Sequence, residues 1–172
     1  MRTTKRLTLS AMLVALGVVL MLFGALFEVV DLSLAALASL LLVFAMIEIG
    51  MPYPWLIWLS TSLIMFLLFP GKTVWIMYFS FGVYPILKAY IERLPRGFWI
   101  ILKLVYLNAI LVALYFLVEL IFGIPMLEGA VWLQVLMYLL MNVAFLAYDR
   151  LITISVRIYF ERLRHRFKKF LK

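Results

Sequence analysis

Thr4-Lys-Arg-Leu-Thr-Leu-Ser-Ala-Met-Leu-Val-Ala15 joins a short basic head, Arg2, Lys5 and Arg6, to the first of several long apolar runs. Lys and Arg beside a membrane span stay on the cytoplasmic side, so the head predicts the side on which the chain starts. Ala11 and Ala15 sit four apart and share one face of a helix. Two small residues so placed leave a shallow notch into which a second helix can pack.

The rest of the composition agrees with that opening. Of 172 residues 68% are hydrophobic, and the mean hydropathy is +1.17. A soluble domain is roughly half apolar and could not hide so much apolar surface, so lipid must be the solvent for most of the chain. There is no cysteine, which excludes disulfides, thiolate catalysis and Cys-based metal sites. The one histidine, His165, lies in a basic tail, so a catalytic triad built on His or a multi-His metal centre within this chain is excluded as well. The net charge of +8 would suit nucleic acid, but in a membrane protein it follows from basic residues collecting on one side. No nucleic-acid partner, no metal and no cofactor is expected. The first apolar run, residues 7–27, exceeds the roughly 7–15 residues of a signal-peptide core, and a second run follows it closely. It reads as a retained span.

A spanning helix needs about 20 mainly apolar residues. Six segments are read as spans: 7–27, 32–49, 55–69, 74–91, 98–122 and one from 130 to about 148 that runs on past Asp149-Arg150. The third is the shortest. Turns fall at Glu28–Asp31, at Gly50-Met-Pro-Tyr-Pro54, at Pro70-Gly-Lys-Thr73, at Glu92–Gly97 and at Gly123–Gly129. Proline lacks a donor and restricts the residue before it, so Pro52, Pro54 and Pro70 punctuate the chain, while Gly82 and Pro85 predict a kink in the fourth helix. The tail, 161–172, is basic with Phe167, Phe170 and Leu171 interleaved, a pattern that suits an anchor on anionic lipid.

With the N-terminus in the cytoplasm and six spans, 15 of the 16 Lys and Arg lie on the inner side, and only Lys72 lies outside. Glu28, Asp31 and Glu128 fall in the outer turns. The expected fold is therefore an all-α polytopic membrane protein. Its six helices form one compact bundle in the plasma membrane (1–160), followed by a basic tail (161–172), with both termini cytoplasmic.

Polar side chains inside a membrane usually face the bundle interior. In the fifth span Asn108, Tyr115 and Glu119 share a face, and in the sixth Gln134, Tyr138 and Asn142 do the same, with Asp149 seven residues further on. The fourth opens with Lys72, Trp75 and Tyr78. Most of these fall in the outer half, with Asn108 and Asn142 nearer the midplane, so they could line a cavity open to the outside. Tyr78, Tyr115 and Tyr138 would then pack on a small solute, and Asn108, Gln134, Asn142 and Glu119 would orient it. The structural reading stands beside this one. Amides join helices, Tyr and the tryptophans Trp55, Trp75, Trp99 and Trp132 form interfacial belts, and Glu119 reaches water. Asp149 reads as a local pair with Arg150 or a helix end.

No catalytic constellation is present. Glu28 and Asp31 form an acidic pair in a turn with no base beside them. Gly71-Lys-Thr73 lacks the upstream glycine of a phosphate loop and lies between two spans. The chain is read as a non-enzyme that does not hydrolyse ATP.

The small size, six spans, inner termini and the stretch Thr4–Ala15 together resemble the substrate-binding S components of energy-coupling-factor (ECF) transporters. The resemblance implies that Ala11 and Ala15 dock on a transmembrane T component carried by two ATPases. It also implies that a vitamin-like solute binds at the outer ends of helices 4 to 6. The outer turns are shorter here, and the interior less polar, than in a typical member. A second resemblance is to cell-shape scaffold proteins of the MreD type, similar in size, span number and apolar content. That one implies partner helices and no cavity.

Overall fold

Gly50 shows how this chain stops a helix. Its φ of +86° lies in the left-handed region where a Cβ would be strained, and its N–H closes the last turn of the preceding helix on the Ala45 carbonyl at 3.1 Å. Pro52 and Pro54 follow, and the next helix begins at Tyr53. The computed structural model describes residues 3–27, 30–68, 72–122 and 131–163, less the side chains of 72, 73, 117, 118, 120–122 and 163. The elements are α1 (Thr3–Leu26), α2 (Asp31–Glu48), α3 (Tyr53–Leu68), α4 (Lys72–Ile91), α5 (Trp99–Phe122) and α6 (Val131–Ile158). A 3₁₀ turn, Arg96–Phe98, leads into α5, and a π-helical turn, Tyr159–Leu163, continues α6.

All but α3 are long and apolar enough to cross a membrane, and α3 is an apolar helix of 16 residues. At 1.5 Å per residue it is about 24 Å long, against a hydrocarbon core of about 30 Å. The protein is a multi-pass, all-helical membrane protein. The basic head is itself helical from Thr3. Thr8 and Ser10 donate back to the carbonyls of Thr4 and Arg6, so their hydroxyls need no water. Pro85 lies inside α4, and α6 passes through Asp149-Arg150 without a break. The expected turns at Glu28, at Pro70-Gly71 and at Gly123–Gly129, and the lipid-anchor reading of 164–172, lie outside the described residues.

The contacts divide the chain into two compact units, Met1–Ala89 with Ile152–Lys172, and Tyr90–Leu151. In the first unit α1 buries a stripe of Ser10, Leu13, Gly17, Met21 and Gly24. Its small members bring backbones close: a Cβ on Gly17 would lie 3.3 Å from the Thr61 methyl, and one on Gly24 would lie 3.3 Å from the Asp31 Cα. Lipid offers helices little hydrophobic incentive to associate, so close dispersion contacts of this kind hold them together. Leu13, Leu42, Ala45, Ile49 and Ile57 form one core cluster, and Met21, Ala35, Ala38, Met65, Val74 and Tyr78 form another.

Between α3 and α4 the contact is aromatic. Trp55, Trp58, Phe79, Trp75 and Phe66 make a chain of neighbouring rings with centroids 5.9, 4.8, 5.4 and 5.1 Å apart in that order. Trp58 sits directly on Gly82, and its indole N–H donates to the Phe79 carbonyl at 3.2 Å.

Candidate functional site

The residues proposed to meet a solute belong to both units. In the first, Tyr78 is fully buried in the α1–α4 core and Trp75 is part of the aromatic chain. The Lys72 side chain lies outside the described residues. In the second unit Tyr138 donates its hydroxyl to Asn108 Oδ1, which couples α6 to α5. The Asn108 amide donates to the Leu104 carbonyl, and the Asn142 amide to that of Tyr138, each within its own helix. Gln134 and Asn142 are half-buried, and Tyr138 is half-exposed. Tyr115 packs edge-on against Phe116, and its hydroxyl faces Glu119, which is exposed one turn on. The faces of α5 and α6 thus meet at Asn108 and Tyr138, and the Asn108 and Asn142 amides each have one N–H bonded within their own helix.

Ala11 and Ala15 are both exposed. At 3.6 residues per turn they centre about 140° away from the buried stripe of α1. The small residues that α1 uses for packing inside the chain are Gly17 and Gly24, and the alanine notch is left uncovered.

Further polar contacts join residues that spacing alone did not pair. Lys103, 7% exposed, reaches Glu92 at 3.1 Å and Asp149 at 2.9 Å. Asp149 is therefore not a local partner of Arg150 but the acceptor of a cation on the neighbouring helix. The Trp99 ring lies 5.8 Å from the same ammonium. In the first unit buried Lys88 donates to Thr153 at 2.7 Å, and Tyr159 donates to Glu48 at 2.7 Å while standing edge-on to Phe44. Asp149, Thr153 and Tyr159 all come from the C-terminal half of α6 and its extension. This stretch therefore carries acceptors and donors for α5, α4 and α2 in turn. The available signal was a cation set a few residues inside an apolar run, as at Lys88 and Lys103, since a charge at that depth requires a partner.

The site thus defined is a set of interhelical polar contacts in a multi-pass helical membrane protein. No family model matches the chain, nor does any curated protein or solved structure.

Proposed function

We propose that this protein is the substrate-capture subunit of an ECF-type uptake transporter. It has six spans and both termini in the cytoplasm, takes a small vitamin-like solute from the outer side, and docks through α1 on a T component with its ATPases. The observation that carries the reading is the division of α1 into two faces. Ser10, Leu13, Gly17, Met21 and Gly24 are consumed by packing within the chain, while Ala11 and Ala15 stay exposed on the other side. A small-residue notch allows close approach of a partner helix, and two alanines lose no side-chain freedom in the contact. The chain has no phosphate loop of its own, so energy for uptake comes from the partner.

A scaffold reading has its own support. Tyr78 is fully buried, the Tyr138 hydroxyl donates to Asn108 on the neighbouring helix, and Asn108 and Asn142 each donate one N–H within their own helix, as helix-pairing groups would. The experiment separates the two. The full chain and its Ala11→Leu/Ala15→Leu variant are purified from native membranes in mild detergent. ATPase subunits are expected with the wild type and are lost from the variant. Recovery of cell-wall or division proteins without ATPases would decide for a scaffold. ATPases retained at full yield by the variant would remove the docking claim.

A further inference from the structure

The segment between α4 and α5 is described throughout. It joins two helices that are each long and apolar enough to cross a membrane, so it lies at the membrane surface. Arg93, Leu94, Pro95, Arg96, Gly97 and Phe98 are exposed in succession, with Leu94 at 48% and Phe98 at 59%. Despite that exposure the backbone is held. The N–H groups of Arg93, Leu94 and Phe98 donate to Tyr90, Ile91 and Pro95 at 3.0–3.1 Å, and the Trp99 indole N–H closes on the Leu94 carbonyl at 2.7 Å. The Arg93 guanidinium lies 5.2 Å over the Tyr90 ring. The held backbone thus sets the spacing of the two arginines, with apolar residues between and beside them.

Among the described residues no acid compensates their charge. Glu92 is the one acid in the segment, and it is turned to Lys103, which Asp149 holds from the other side. Among the described residues neither Arg93 nor Arg96 has an acidic partner. A planar guanidinium fits phosphate oxygens two at a time. Leu94 and Phe98 beside it call for a ligand that also has an apolar part. Free phosphate satisfies only the arginines, whereas a lipid with an anionic headgroup satisfies both.

We propose that residues 90–99 form a binding site for an anionic phospholipid. Arg93 and Arg96 take the headgroup phosphate, and Leu94 and Phe98 enter the acyl layer. The Lys103–Glu92 pair sets the charge of the site by withdrawing the local acid.

The test uses the full chain reconstituted in phosphatidylcholine vesicles in which either phosphatidylglycerol or phosphatidylcholine carries brominated acyl chains. Quenching of Trp99 is read as wild type minus Trp99→Phe. Brominated phosphatidylglycerol is expected to quench Trp99 in preference to brominated phosphatidylcholine, and added salt should lower the preference. Arg93→Gln/Arg96→Gln should weaken it by roughly fivefold per arginine, with an unchanged thermal unfolding midpoint. Equal quenching by the two lipids in the wild type would overturn the proposal without any variant. So would a preference that survives loss of both arginines. Abolition of the preference by millimolar inorganic phosphate would assign the site to the free anion and would overturn the lipid reading.

Discussion

Lys103 illustrates what a membrane demands of a single residue. An ammonium with 7% of its side chain exposed is tolerable only because Glu92 and Asp149 both lie within 3.1 Å. Removing the cation takes the ammonium from two carboxylates at once, whereas removing Asp149 leaves Glu92 beside it. Lys103→Met is therefore expected to destabilise the protein by about 2–3 kcal/mol and Asp149→Asn by about 1–2 kcal/mol. The double variant should cost less than the sum by at least about 0.5 kcal/mol. Reversible unfolding in detergent micelles, followed by tryptophan fluorescence, measures all three, and strict additivity would contradict the contact. This partnership was only half legible beforehand. The sequence shows that a lysine inside an apolar run needs an acid, but an adjacent Asp149-Arg150 pair offers a cheaper local explanation for that acid. Only the approach of α6 to α5 decides between them.

At the scale of elements, the helices divide by how they pack. The α1, α2 and α3 surfaces meet through small residues, and α3 meets α4 through the ring chain from Trp55 to Phe66. Trp55 and Trp75 also serve packing, Trp99 bonds the connector, and Trp132 is 69% exposed. Gly82 is the point at which α3 and α4 can be tested. A Cβ there would stand 2.6 Å from Trp58 Cδ1, and the rigid indole has to move, giving up its bond to the Phe79 carbonyl and its stacking on the Phe79 ring. Gly82→Ala is expected to cost about 1–3 kcal/mol, the range for overpacking a filled contact. Trp58→Leu in the same background should recover part of that loss. Midpoints of thermal unfolding for the two variants give the answer. Glycine in the fourth run was legible as a kink signal beside Pro85, but its use as a seat for Trp58 was not, since the indole arrives from another helix.

For the whole molecule, α3 decides the number of crossings. Five helices qualify by length and composition, and a sixth crossing by α3 requires local thinning of the bilayer or polar caps near the surface. The absence of cysteine makes this directly measurable. If α3 and α4 both cross, single cysteines at Met51→Cys and Gly97→Cys react with a membrane-impermeant maleimide from the same side, and Val30→Cys reacts from the other. If α3 does not cross, residues 51 and 97 report opposite sides. Both positions are exposed, and a Cβ on Gly97 meets nothing within 4 Å, so the labels themselves are tolerated.

The sequence by itself determined the solvent and the elements. With 68% apolar residues in runs of about 20, too long and too evenly apolar for barrel strands, helices satisfy the backbone in lipid, because each bonds its own N–H and C=O groups. It also determined which residues share a face, since that depends only on the helical period. The tertiary structure decided what each face meets. The contacts Lys103–Asp149, Lys88–Thr153 and Glu48–Tyr159 join residues 46, 65 and 111 positions apart. The tertiary structure also separated Gly17 and Gly24, which pack inside, from Ala11 and Ala15, which do not. A small-residue pair encodes the possibility of close approach, and the identity of the approaching helix comes from the packing of the remaining surfaces.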